Sequence, residues 1–170
     1  MTIQSLPEFL ISQARLMTMP EITFFYVTNQ PTAFANLDRD LDPLLASIYE
    51  AKAKANIAEA GPDITRYYIS NPGAPEGEPP LYRMEVGIPV KPGMLPAGAA
   101  QVMRLPPYHC MGVMLWGSLA HVAQAYEALG QAVQQAGLER GTETREWNYW
   151  FEAPDSPNNI MGIYMEVKPG

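Results

Sequence analysis

The feature that most constrains the fold is an order of segments, strand-helix-strand-strand, that occurs twice along the chain. Self-similarity on this scale predicts a supersecondary unit that is present in two copies. In such a unit the helix covers one face of its own sheet, and the other face needs a different cover. We therefore expect an α+β fold of duplicated β-α-β-β units with pseudo-two-fold symmetry. Its antiparallel sheet would carry helices on one face and a ligand cleft, between the two halves, on the other.

Apolar residues that alternate or run continuously predict the strands, and apolar residues at helical spacing predict the helices. Clusters of proline and glycine separate these elements. The first copy is predicted to consist of a strand at 22–27, a helix at 38–60 and strands at 64–70 and 81–90. The second copy is predicted to consist of strands at 100–105 and 108–116, which continue or pair with each other, a helix at 118–136, and strands at 144–151 and 160–167.

The length and composition of the chain favour one substantial core. Hydrophobic residues make up 47% of the 170 residues, which argues against two independent domains. We expect a single domain, 1–170, in which the copies occupy 21–90 and 99–168 and a linker occupies 91–98.

Residues 1–20 are predicted to form a helical extension before the first copy. Ser5 can cap a helix, Pro7 suits its first turn, and Glu8 is placed for a capping box. Pro20 would end this segment.

Charge and cysteine content exclude several classes of function. A formal net charge of -7 and a pI of about 4.8 argue against direct nucleic-acid binding, because an acidic chain repels phosphate backbones. The acidity suits a cationic ligand, a basic protein partner or plain solubility. Cys110 is the single cysteine, and no Cys/His cluster has metal-ligand spacing, so we expect no metal and no cofactor.

No secretory signal and no membrane-spanning apolar run are visible, so the cytoplasm is the expected location and a membrane is not an expected partner.

Glu146 is the strongest candidate for chemistry, because it lies in an otherwise apolar and aromatic strand. Strand alternation places Glu146, Asn148 and Trp150 on one face. A carboxylate among aromatic side chains is costly to desolvate unless something pairs with it. A cationic ligand can be that partner, and the alternative is a local ion pair with Arg145 or another arginine.

Other side chains are candidates for the lining of a cleft. Glu85 alternates with apolar neighbours and faces either the cleft or an arginine on the sheet, whereas Glu166, at the comparable place in the second copy, is expected to be exposed. Aromatic strand residues line pockets as well as cores, and Met residues, of which there are ten, suit an adaptable pocket. The aromatic candidates are Tyr67, Tyr108, Trp116 and Trp150.

The second copy also carries an ordered set of short motifs: Val102-Met103-Arg104-Leu105-Pro106, Trp116-Gly117-Ser118-Leu119, Ala125-Tyr126-Glu127-Ala128-Leu129 and Arg145-Glu146-Trp147-Asn148-Tyr149. This set resembles the GyrI-like effector-binding domains of gyrase inhibitory proteins and of multidrug-sensing transcription activators. In that family a strand leads to a Gly at the helix start, an Ala-Tyr pair sits on the helix, and a strand with Arg-Glu-x-Tyr follows.

The resemblance spans about residues 20–168 and is looser in the first copy, where 85–90 matches best. It implies that Glu146 faces the ligand. Two departures concern ligand preference: Asn148 stands where the family usually has Tyr, and Gly117-Ser118-Leu119 replaces the common Gly-Pro-Tyr.

Three functions are compatible with these residues. The first, which we favour, is the binding of small, largely apolar or cationic aromatic compounds, for sensing or sequestration, as in multidrug binding. The second is a hydrolase, because some GyrI-like proteins open strained rings of DNA-alkylating natural products with water. Glu146 would then act as acid or base, aided by Tyr67. The third is a gyrase-inhibitor-like module whose acidic surface meets a protein partner.

Overall fold

A nine-stranded antiparallel sheet and two helices form the architecture of the computed structural model, which describes residues 7–57 and 62–168. The α+β class and the antiparallel sheet confirm the sequence-based prediction. In chain order the strands and helices are β1 (Leu10–Ile11), β2 (Arg15–Met19), β3 (Ile22–Thr28), α1 (Leu37–Lys54), β4 (Asp63–Ile69), β5 (Tyr82–Val90), β6 (Gln101–Leu105), β7 (Tyr108–Trp116), α2 (Val122–Gln135), β8 (Arg140–Trp150) and β9 (Ile160–Val167).

The order of strands in the sheet is symmetric about its centre. The sheet reads β1-β7-β9-β8-β4-β5-β3-β6, and β2 pairs with β7 beside β1. Its six inner strands form two halves. One half consists of β3, β4 and β5 with α1, and the other half consists of β7, β8 and β9 with α2. The two halves meet where β4 pairs with β8, and Arg66 lies opposite Arg145 in that pairing.

Each helix packs on the outer strands of its own half. In α1 the buried residues Leu44 and Ile48 are four positions apart, and Leu129 and Val133 repeat this spacing in α2. Residues spaced by four lie on one face of a helix, so each helix presents a continuous apolar stripe to the sheet. Complete burial of each such side chain contributes about 1.5–3 kcal/mol.

The face of the sheet opposite the helices is also buried. Phe24 and Phe25 are neighbours on β3 and therefore point to opposite faces, yet both are 0% exposed. Phe25 joins the core under α1, whereas Phe24 packs with Ile64 and Leu105 on the far side. The far side is therefore a second, smaller core.

The predicted N-terminal helix at 1–20 is wrong for the described part of this segment. β1 and β2 form instead, and both pair with β7. Without them this edge of β7 would expose a row of unpaired N–H and C=O groups, so the gain in backbone hydrogen bonding overrides the local helical pattern. Ser5, the predicted cap, lies outside the described residues.

Two further predictions need correction. β6 pairs with β3 and not with β7, because the Pro106-Pro107 break turns the chain away and the edge of β3 is open. The predicted helix at 38–60 ends at Lys54 in the structure. Asn56 takes a left-handed conformation, φ 51°, and such a residue commonly ends a helix. Residues 58–60 lie outside the described residues.

Neither helix in the described ranges is long and apolar enough to cross a lipid bilayer.

Candidate ligand-binding site

A cavity of about 590 Å³ opens between the two helices, above the central strand pair. α1 packs mainly on β3 and β5, and α2 packs mainly on β7 and β9, so the central strands β4 and β8 are covered least. The gap between the helices is this cavity. It lies on the face that carries the helices, whereas the sequence analysis placed the ligand cleft on the opposite face. That prediction assumed that each helix covers its half of the sheet completely, whereas the helices leave room between them on their own face.

The carboxylate of Glu146 lies in this cavity and accepts two hydrogen bonds from tyrosines. The hydroxyl of Tyr126, on α2, donates to Oε1, and the hydroxyl of Tyr67, on β4, donates to Oε2 at 3.4 Å. The second bond is longer than a typical O–H···O bond, so Tyr126 is the stronger partner. Three elements of the fold therefore meet at one carboxylate.

Burial raises the pKa of Glu146, and the hydrogen bonds from the two tyrosines partly oppose this effect. Burial, together with the negative charge of Glu146, raises the pKa of Tyr67 and of Tyr126 well above 10. Both phenols therefore keep their protons at neutral pH and act as donors. The result is a partly desolvated carboxylate whose oxygens are oriented by two phenols.

Two charged side chains line the cavity at greater exposure. Asp38, in the first turn of α1, adds slightly to the rise in the pKa of Tyr67 that burial causes, whereas Arg140, the first residue of β8, slightly opposes the rise in the pKa of Tyr126 that burial causes. Asp38 therefore acts on one of the two phenols that bind Glu146, and Arg140 acts on the other.

An apolar wall completes the cavity. Phe34 and Tyr82 meet edge to face, with ring centroids 5.4 Å apart and planes at 68°. Leu41 and Met84 also line the cavity. Phe34 is 70% exposed, which is unusual for a large aromatic side chain and leaves its ring accessible to a ligand.

The alternative partner for Glu146, Arg145, lies elsewhere. Successive residues of a strand point to opposite faces, and the guanidinium of Arg145 stacks over the ring of Tyr108 at 3.9 Å. Its Nη2 donates to Glu143 at 3.1 Å. Burial lowers the pKa of Arg145 to about 10. Among the described residues, Glu146 forms no ion pair.

Glu85 and Tyr108, two other candidates, lie on the face opposite the cavity. Glu85 is 2% exposed, pairs with Nη1 of Arg66 at 2.6 Å and accepts a hydrogen bond from Tyr68 at 3.1 Å. For Glu85 the arginine-paired alternative is therefore the one observed. Tyr108 is 4% exposed, and its hydroxyl donates to the backbone carbonyl of Glu143 at 2.9 Å.

The remaining candidates lie toward the ends of β7, β8 and β9, away from the cavity. Trp116 lines a separate cavity of about 320 Å³, and Trp150 is 57% exposed and donates from Nε1 to Glu152 at 3.2 Å. Asn148 does not line the cavity that contains Glu146. Glu166 was expected to be exposed but is partly buried, and it accepts backbone hydrogen bonds from residues 142 and 143, both at 3.0 Å. Of the ligand-contact candidates, the structure brings together Glu146 and Tyr67.

Several lining residues were missed by the sequence analysis. Tyr126 entered the sequence analysis only as part of the Ala-Tyr motif, and that motif was the available signal. Arg140, Thr142 and Thr144 alternate with Glu146 along one strand and would have been found if the strand had been predicted to start at 140. In the described part of the chain, no group of three or more His, Cys, Asp and Glu side chains could hold a metal ion.

Comparison with known proteins finds similarity in structure and not in sequence. The sequence matches no known family profile and no curated protein. The C-terminal domain of EcmrR superimposes with a TM-score of 0.66 at 19% identity, over 92% of this chain and 97% of that one. The EcmrR chain in complex with DNA is longer: this chain covers 59% of it, with 96% of its own length, a TM-score of 0.64 and 17% identity.

Two further structures share the fold. SAV2435 bound to tetraphenylphosphonium superimposes with a TM-score of 0.61 at 16% identity, over 92% of this chain and 94% of that one. A hydrolase from Listeria innocua gives a TM-score of 0.57 at 13% identity, over 92% of each chain. These similarities show that the chain has a GyrI-like fold, as the sequence resemblance implied.

Proposed function

We propose that this protein binds small, largely apolar or cationic aromatic compounds in the cavity between α1 and α2, and thereby senses or sequesters them. One observation carries the proposal: the Glu146 carboxylate lies partly buried in a cavity of about 590 Å³, without a cationic partner among the described residues. A cavity of this volume is within the range of about 300–1,000 Å³ that is typical of small-molecule sites.

The electrostatics of the site favour a positively charged group on the ligand. Burial disfavours the ionised form of Glu146, and a cation placed beside it would restore the lost stabilisation. The aromatic rings of Tyr67, Tyr82 and Phe34 line the same cavity. Cation–π attraction to such rings contributes about 0.5–2 kcal/mol when the cation is desolvated.

Tetraphenylphosphonium, the compound bound by SAV2435, is a suitable probe. It has a permanent charge, four aromatic rings and no hydrogen-bond donor, so its binding reports charge attraction and apolar contact alone. We expect wild-type protein to bind it in isothermal titration calorimetry and Glu146→Gln to bind it about tenfold more weakly, a loss of about 1.4 kcal/mol.

Glu127→Gln is the matched control, because Glu127 is an exposed carboxylate on α2 and its removal changes the net charge equally. Equal loss in both variants would show a long-range charge effect, and no loss in Glu146→Gln would contradict the role of this carboxylate. Absence of binding to wild type would contradict the proposal for this class of cation.

A second candidate function, hydrolysis of strained electrophiles, is favoured by the two phenols on Glu146. A carboxyl group with a raised pKa can exchange a proton with water or with a leaving atom. In the step, the oxygen of water bonds to a ring carbon as the strained bond breaks. Glu146 takes the proton from water and returns a proton to the departing atom.

Product analysis separates the two functions. A strained-ring electrophile incubated with wild-type protein would give the water adduct with multiple turnovers if the protein is a hydrolase, and Glu146→Ala would abolish this turnover. Stoichiometric binding without product would leave ligand binding as the function. The protein-partner hypothesis needs no cavity, so this site adds no support to it.

A further inference from the structure

Arg140 is a cation at a site whose other charges are negative. It is the first residue of β8, it is exposed, and it lines the cavity. Among the described residues its guanidinium has no carboxylate partner, whereas Arg39, Arg66, Arg104 and Arg145 each have one. The positive charge of Arg140 is therefore available to a ligand.

The backbone of β8 directs Arg140 toward the cavity. Residues 140, 142, 144 and 146 alternate along the strand, and all four line the cavity. The pairing of β8 with β9 is irregular between Arg140 and Thr144. Such irregularities bend a strand and re-aim its side chains. The charge of Arg140 also opposes the rise in the pKa of Tyr126 that burial causes, so it acts on the hydroxyl that donates to Glu146.

Asp38 reaches the cavity from a different element, α1, whereas Arg140 reaches it from β8. Asp38 is exposed in the first turn of α1, lines the cavity, and acts on Tyr67 rather than on Tyr126. The cavity thus has an acidic side, formed by Glu146 and Asp38, and a basic side, formed by Arg140. Donors in addition to Arg140 are the hydroxyls of Thr142 and Thr144, which precede Glu146 on the same strand.

From this arrangement we infer that the site selects amphoteric aromatic ligands, which place a cationic group between Glu146 and Asp38 and an acidic group against Arg140. The inference rests on the proposed function, since it assigns a ligand class to the same cavity. A simple lipophilic cation is attracted by the two carboxylates and repelled by Arg140. A zwitterion of the same shape gains from all three charges.

A matched pair of dyes tests this directly. Tetramethylrhodamine is a zwitterion with a cationic xanthene ring and a free carboxylate, and its methyl ester is a cation with almost the same shape. Because Arg140 is exposed and screened by solvent, we expect wild-type protein to prefer the zwitterion by about threefold to fivefold in fluorescence-polarisation titrations at low salt. The preference should shrink as sodium chloride is added.

Arg140→Gln should remove the preference by weakening zwitterion binding, and it should leave ester binding unchanged or tighter. Arg104→Gln is the control, because Arg104 lies on the edge strand β6, is exposed and carries the same charge. The control variant should keep the preference.

Each outcome distinguishes the inference from the proposed function. Equal affinity of wild type for both dyes, or a preference that Arg140→Gln leaves intact, overturns the inference. If the ester still binds and Glu146→Gln weakens it, the proposed function survives that result. If neither dye binds wild-type protein, the proposed function fails for this ligand class and the inference fails with it.

Discussion

Tyr67 and Glu146 occupy equivalent positions on β4 and β8, each one residue beyond the Arg66–Arg145 pair at the centre of the sheet. Both side chains point to the same face, and the Tyr67 hydroxyl donates to the Glu146 carboxylate at 3.4 Å. The symmetric strand order therefore brings two chemically different side chains together at its centre. The strand order is therefore symmetric, whereas the side chains at equivalent positions of the two halves differ.

We expect Glu146→Gln to raise the free energy of unfolding at neutral pH by about 0.5–2 kcal/mol, as is typical of single stabilising substitutions. The folded-state pKa of Glu146 is raised, so the folded protein disfavours the ionised form more than the unfolded chain does. When a carboxyl group has a higher pKa in the folded state than in the unfolded chain, its protonation stabilises the folded protein. This contribution is complete at a pH below the pKa of the unfolded chain, and it is lost as the pH rises through the pKa of the folded state. The gain in Glu146→Gln should therefore vanish in acid.

Thermal melting of both proteins across pH measures this difference. Glu127→Gln, the exposed control, should follow wild type at every pH. A difference between Glu146→Gln and wild type that grows in acid would have the wrong sign and would contradict the raised pKa.

Tyr126→Phe should raise the pKa of Glu146 further, because the hydroxyl of Tyr126 stabilises the ionised carboxylate. Observation of the Glu146 carboxyl carbon by NMR during a pH titration measures this shift. Tyr68→Phe is the control, since Tyr68 donates to Glu85 on the opposite face. An unchanged titration of Glu146 in Tyr126→Phe would show that this hydrogen bond does not act on the carboxylate.

Phe34→Ala should weaken binding of aromatic cations with little effect on stability. The Phe34 ring is 70% exposed, so its removal leaves no internal void. An aromatic contact contributes about 0.5–1.5 kcal/mol, which corresponds to about a twofold to tenfold loss of affinity for tetraphenylphosphonium. Leu95→Ala, at a loop residue that is 76% exposed, should bind as wild type does. If Phe34→Ala binds tetraphenylphosphonium as tightly as wild type does, the ligand does not contact Phe34.

Glu85→Ala should destabilise the fold by about 1–3 kcal/mol, because it leaves a part-buried hydrogen-bond donor of Arg66 and the hydroxyl of Tyr68 without their acceptor, whereas the charge of Arg66 keeps its ion pair with Glu143. Glu85 is 2% exposed and pairs with Arg66 on the face opposite the cavity. Urea unfolding measures the loss. Glu50→Gln, which removes an exposed helical pair with Lys54, should change stability little.

The same two variants separate structure from function. Glu85→Ala should keep its affinity for tetraphenylphosphonium under conditions where it remains folded, because Glu85 does not line the cavity. A specific loss of affinity at unchanged fold content would instead connect the buried ion pairs to the ligand.

Much of the secondary structure was readable from local pattern. Strands β5 and β9 lie close to their predicted positions, and both helices form where they were predicted although α1 ends six residues earlier, because apolar periodicity and proline and glycine boundaries are local properties. Glu146 was also identifiable from its neighbours, since a carboxylate among aromatic residues is conspicuous in any strand. The strand conformation of the N-terminal segment could not be predicted from local pattern, because it depends on the open edge of β7, which lies about a hundred residues away along the chain.

The sequence by itself determined the repeated segment order, the α+β class and the carboxylate that we propose as the centre of a binding site. Only the tertiary structure decided which face carries the cavity and which side chains meet there. Periodicity assigns a residue to one side of its own element, but it does not say how far a helix extends across a sheet. The helices pack mainly on the outer strands and leave a gap above the central pair. In this gap Tyr126 from α2, Tyr67 from β4 and Arg140 from the start of β8 line the same cavity as Glu146.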